Sequence, residues 1–173
     1  MIRSFKGITP TLAPTAYVDQ AAQVIGDVHL AEHVSIWPMA VLRGDDHFIR
    51  IGAWSNIQDG CILHEEEGRA PVLVGERVTV GHGVILHACR IASHCLIGMG
   101  AIILSNVEIG EGSIIAAGAV VPESVIIPPC SLVMGIPAKV RRPVAPEERT
   151  RIDEGSVHYA RLKNIYLAER DAQ

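Results

Sequence analysis

The sequence predicts an all-β fold: a parallel β-helix of six to seven triangular coils, followed by a C-terminal α-helix. Three observations predict it. Of 173 residues, 49% are hydrophobic but only 4% are aromatic, so the core must be filled with Ile, Val, Leu and Ala rather than rings. An aliphatic residue recurs every six positions through most of the chain. Four residues after most of these aliphatics comes a small or β-branched residue, such as Ala16, Ala22, Val28, Val34 and Ala40, and glycine often follows the aliphatic directly, as in Ile51-Gly52, Val74-Gly75, Val80-Gly81 and Ile97-Gly98.

Residues 1–11 form a segment that precedes the repeat. From Leu12 the aliphatics are Leu12, Val18, Val24, Leu30, Ile36 and Leu42, then Ile51, Ile57 and Leu63, then Val74, Val80 and Leu86. The step resumes at Ile91 and runs through Ile97, Ile103, Ile109, Ile115, Val121 and Ile127 to Val133. A period of six is neither the 3.6 of a helix nor the 2 of a simple strand. It fits one short strand plus a turn, with three such units closing a coil and successive coils stacking at about 4.8 Å. Rings are too wide for such a prism, which explains their scarcity. The β-helix is expected over 12–139. After Val133, Gly135-Ile136-Pro137-Ala138-Lys139 breaks the pattern. Residues 140–173 are expected as a tail whose helix starts at Pro146, runs from Glu147 to about Arg170 and packs along the prism. Proline suits the first turn, and Glu147 and Glu148 suit the N-terminal dipole. Ile152, Tyr159, Leu162, Tyr166 and Leu167 are its expected buried stripe.

A net charge of −4 and a pI near 6.0 provide no basic field for nucleic acid. No stretch approaches the roughly 18 uninterrupted apolar residues of a membrane span, and Met1 to Gly7 lacks the apolar segment of a signal peptide. Cys61, Cys89, Cys95 and Cys130 have no metal-ligand spacing and read as packing residues. A reducing, cytoplasmic setting is the expectation.

The repeat acts as a ruler for outward residues. Arg43, His64 and His87 directly follow Leu42, Leu63 and Leu86, so they occupy one column on one face in three successive coils. Asp59 and His82 stack in the same way on another face, each two residues past its aliphatic. All three departures from the six-residue step touch these coils: residues 44–50 and 64–73 are insertions, and a short step follows His87. Loops on a rigid scaffold are where functional residues concentrate. One chain does not easily bring the two columns together, but neighbouring chains in a cyclic trimer do. Three neutral imidazoles with an open fourth position are the ligand set of a catalytic zinc site. His29, His33, His47, His94 and His158 read as solvated surface histidines.

At these residues the chain resembles the γ-class carbonic anhydrase family of hexapeptide-repeat proteins. The resemblance rests on Leu42-Arg43-Gly44-Asp45, Ser55-Asn56-Ile57-Gln58-Asp59-Gly60, Leu63-His64, Val80-Gly81-His82, Leu86-His87, Ile97-Gly98-Met99-Gly100-Ala101 and Gly135-Ile136-Pro137-Ala138-Lys139, and covers roughly residues 5–168. It implies a left-handed β-helix, an exception to the usual right-handed crossover, and a homotrimer with zinc at each interface. His64 and His87 would ligate from one subunit and His82 from the next. Arg43 and Asp45 match the family's ion-pairing residues, and Gln58 and Asp59 match those near the reacting solvent. Tyr159 resembles a tyrosine that bacterial members place near the site. Glu67, on a shorter acidic loop, is the nearest counterpart of the family's proton-carrying glutamates.

The implied activity is reversible hydration of CO₂ to bicarbonate, with Zn²⁺ as the default metal and Fe²⁺ or Co²⁺ suited to the same imidazoles. The alternatives are a CoA-linked acyltransferase or thioesterase on the same fold, or a metal-binding relative without strong hydratase activity.

Overall fold

Twenty inward aliphatics form three continuous stacks, and these stacks define the fold. In the computed structural model, which describes residues 1–68 and 70–171, the chain winds into a left-handed parallel β-helix of about seven turns with one C-terminal helix. Val24, Leu42, Leu63, Leu86, Ile103 and Val121 pair in register on the first face. The second face runs from Leu12 through Leu30, Ile51, Val74, Ile91 and Ile109 to Ile127. The third runs from Val18 through Ile36, Ile57, Val80, Ile97 and Ile115 to Val133. All but Leu12 and Val18 are buried. Those two lie on the first coil, which has a neighbour on one side only.

The corners account for the remaining pattern. Several turn residues, including His33, Met39, Trp54, His94 and Cys130, have φ between 55° and 63°, the left-handed region that turns the chain sharply. The glycines that follow the aliphatics serve a different purpose. A Cβ on Gly98 would lie 2.4 Å from the Ala117 nitrogen, and one on Gly52 would lie 2.5 Å from the Gly75 carbonyl. The coils approach too closely there for any side chain. Cys61, Cys89 and Cys95 are buried, and burial pushes their thiols up to about 11, 12 and 11, as expected of packing residues.

The first insertion is not a loop. Residues 44–50 lie inside one continuous strand, Val41–Ile51, which carries the ladder around a corner and shifts register against Gln23–Leu30 between Gly26 and Val28. It begins on the first face beside His64 and ends on the second beside Val74. The second insertion closes with an antiparallel bridge between Glu66 and Ala70.

At the far end, Ser131–Gly135 turns back and pairs antiparallel with Ala138–Pro143. This hairpin keeps residues 140–143 attached to the last coil. Helix α1 (Pro146–Asp171) then returns along the third face, against strands around Ile36, Ile57 and Val80. Pro146 opens it, and the Glu148 carboxylate accepts the Ala145 N–H at 2.8 Å, one half of a capping box. Arg142 grips the same carboxylate at 2.8 Å through both Nη1 and Nη2.

The face that α1 buries differs from the expected stripe. Ile152 is buried, but its buried companions are Ser156, Ala160 and Lys163. Tyr159, Leu162 and Leu167 are half-buried, and Tyr166 is exposed. At this seam Gly155 lies against the third wall, where a Cβ on it would make ordinary contact with the Thr79 hydroxyl at 3.5 Å. The rings sit at its margin instead. Trp37 lies 5.6 Å from Tyr17, 5.4 Å from Tyr159 and 5.2 Å from Tyr166. The few aromatics of this chain thus lie largely outside the prism, holding the helix to it.

Arg142 and the Ala145 N–H hold the Glu148 carboxyl down to about 2, against an ordinary 4.5. A lowered native value means stability that is present above the ordinary value and lost as pH falls towards 2. Undocking of α1 in this window, read by Trp37 fluorescence, should be blunted in Glu148→Gln.

Candidate metal centre

The first face carries a ladder of charged and imidazole side chains. Arg43, His64 and His87 are in register in three consecutive coils, and the two imidazole rings lie 5.5 Å apart at 49°. The strand corner places Asp45 beside them. Arg43 Nη1 donates to both Asp45 oxygens, at 2.8 and 2.7 Å, and His64 Nε2 lies 3.2 Å from Oδ1. Burial opposes ionisation of Asp45, but hydrogen bonds from Arg43 and His64, together with their charge, outweigh it and hold the carboxyl below its usual range. His87 is fixed from the next coil, with Nδ1 2.9 Å from the buried Ser105 hydroxyl.

The third face holds a separate group. Asp59 Oδ2 meets His82 Nδ1 at 2.9 Å, and about half of each side chain is exposed. Beneath them runs a buried amide relay: Gln58 Nε2 donates to Asn56 Oδ1 at 3.0 Å, and Asn56 Nδ2 donates to Thr79 Oγ1 at 2.9 Å. Tyr159, reaching in from α1, has its hydroxyl pKa raised by burial and by the Asp59 charge.

Arg43, Asp45, His64 and His87 therefore gather on one face, and Gln58, Asp59, His82 and Tyr159 on another. Glu67 joins neither group and is exposed in the turn after His64. His94 pairs with Asp153 at 2.7 Å and His29 with Thr11 at 2.8 Å, both at the surface.

Glu65 belongs to the acidic run Glu65-Glu66-Glu67, which reads in sequence as a loop beside a presumed ligand, and the structure places it differently. It is fully buried. Its Oε1 accepts the N–H groups of Asp46 at 2.7 Å and His47 at 2.9 Å, while its Oε2 has no hydrogen-bond partner among the described residues and lies 3.7 Å from His64 Nε2. Strand alternation held the signal, because Leu63 points in, His64 out and Glu65 in again. Asp45, His64 and Glu65 bring ligand atoms within 4.8 Å of one another.

These groups fit a divalent metal. His87 and His82 each have Nδ1 engaged, by Ser105 and by Asp59, which leaves Nε2 as the outward donor. Ligating histidines are oriented in this way. Beside the third imidazole sits the buried Glu65 Oε2, which has no hydrogen bond among the described residues.

The description "Bacterial transferase hexapeptide (six repeats)" matches residues 88–123. Protein YrdA of Escherichia coli K12 is 41% identical over 96% of this chain and 94% of its own length. A carbonic anhydrase of Geobacillus kaustophilus is 41% identical over 97% of this chain and 92% of its own. The chain belongs to the γ-class carbonic anhydrase-like family of hexapeptide-repeat proteins. A solved hexapeptide transferase family protein from Anaplasma phagocytophilum is 34% identical to this carbonic anhydrase-like chain, with a TM-score of 0.91 over 95% of it and 97% of that protein.

Asn56 supports Gln58 on the third face. Replacing it by Ala leaves the Gln58 amide and the Thr79 hydroxyl unpaired in a buried place, at a cost of about 1–3 kcal/mol. The denaturation midpoint in urea should fall accordingly.

Proposed function

We propose that this chain is a metal-dependent γ-type carbonic anhydrase that interconverts CO₂ and bicarbonate. Its metal, Zn²⁺ by default and Fe²⁺ or Co²⁺ on the same donors, is shared between subunits of a homotrimer. His64 and His87 ligate from one subunit and His82 from its neighbour. The observation that carries this reading is the pair of half-sites on different faces of one prism. The wall beside the first half-site supports it. Val41, Ile62, Ile85, Ile102 and Val120 form an outward aliphatic column in register, and Ile62 is 46% exposed. Such a column suits a subunit contact.

When bound, the metal supplies a water that is nucleophilic at neutral pH. The protein's own groups do the rest. Asp59 holds His82, and Ser105 holds His87, each through Nδ1 so that Nε2 faces the site. Asp45, neutralised by Arg43, steadies the seam beside His64. Gln58 has one amide hydrogen committed to Asn56, and its other hydrogen and its carbonyl remain to orient CO₂ or the attacking oxygen. Tyr159 borders the site from α1. Glu67, exposed beyond His64, is assigned the transfer of the released proton to solvent. The four free cysteines suit a reducing, cytoplasmic setting.

The transferase names among the relatives keep a second reading, CoA-linked acyl transfer or thioester cleavage, and a third, metal binding without hydratase activity. One set of measurements separates them: metal content, mass in solution, acetyl-CoA binding and CO₂ hydration, each for the parent and for His82→Ala. The proposal expects a trimer with one metal ion per chain, and a variant that folds but loses the metal and the activity. Equal hydration above background in both proteins would overturn it.

A further inference from the structure

The insertion that interrupts the repeat at 44–50 is held from inside by Glu65, and the same side chain faces a proposed metal ligand. One carboxylate oxygen closes the corner through the Asp46 and His47 N–H groups. The other is buried, has no hydrogen-bond partner among the described residues, and lies 3.7 Å from His64 Nε2. Its chain neighbours do not account for it. Asp45 already meets the same imidazole nitrogen at 3.2 Å and is compensated by Arg43. A buried carboxylate oxygen left without a partner is costly, and capping two N–H groups needs only one oxygen. A neutral glutamine carbonyl would serve equally well there. The charge, and the second oxygen that carries it, are directed at His64.

We propose that Glu65 is a positioning residue of the metal site. Through Oε1 it fixes the corner that carries Asp45, and through Oε2 it sets the orientation and the negative field at the nitrogen of His64. This rests on the reading that His64 is a metal ligand. The consequence is that affinity for a divalent cation depends on the charge of Glu65, while the corner depends only on its acceptor oxygen.

The test compares the full chain with Glu65→Gln and Glu65→Asp. Zn²⁺ and Co²⁺ affinities are measured by chelator competition, and thermal unfolding is followed in the metal-free proteins. In Glu65→Gln the amide oxygen still accepts both N–H groups, so the unfolding temperature of the metal-free protein stays near that of the parent. Affinity falls by roughly 10–100-fold, the scale for groups that orient a metal ligand. In Glu65→Asp the charge remains but is drawn back by one methylene, and the affinity is expected to lie between the other two. Parent-like affinity in Glu65→Gln overturns the proposal; should that variant not fold, parent-like affinity in Glu65→Asp overturns it. If the parent itself binds neither ion, the metal reading fails and takes this inference with it. If the parent binds and Glu65→Gln binds equally, only the inference about Glu65 fails.

Discussion

A coil made of three two- or three-residue strands has room for about one aliphatic side chain per face, and the rest of the structure depends on that limit. Each inward Ile, Leu or Val rests on its counterparts in the coils before and after. Dispersion and burial are therefore collected along three lines rather than in a single centre. The limit excludes rings from the interior, demands small residues near the corners, and forces glycine wherever one backbone lies against the next. It also makes outward side chains predictable: a residue one step past an inward aliphatic shares a column with its equivalents at strand spacing.

That regularity gives the two half-sites their precision. Arg43, Asp45, His64 and His87 are carried by hydrogen-bonded strands, Asp59 and His82 by the tight turns between strands, and each of the three imidazoles has a neighbour beside its ring. The departures from the repeat add what a bare prism lacks. The corner at 44–50 brings Asp45 beside His64, and the turn that follows His64 buries Glu65 beneath it. Substitution of a supporting group such as Ser105 or Asn56 would act on the chemistry only through the residue it supports.

Much of this was legible in the sequence. The six-residue step picked out all twenty inward positions, and the Arg43, His64 and His87 column followed from counting alone. The period failed where the chain departs from it. Residues 44–50 look like a loop because they contain polar and charged residues, yet they complete a strand whose backbone pairs on both sides. Three consecutive glutamates look alike in sequence. Only the alternation set by Leu63 separates the buried Glu65 from the exposed Glu67. The helix was readable in its start signals but not in its buried face. Ser156, Ala160 and the stem of Lys163 fill the seam against the third wall, and the tyrosines lie at its margin.

The way the stacks are built also bears on how the chain acquires its shape during synthesis. Inside the prism, each strand pairs with partners only about one coil away in sequence, so a nascent chain can add finished layers in the order in which they are made. Each new layer covers the apolar end of the one before it. The reversal at Ser131–Pro143 and helix α1 emerge after the coils. The helix reaches back over many coils, to the strands around Ile36, Ile57 and Val80. It thus serves as the closing strap of a structure assembled from one end.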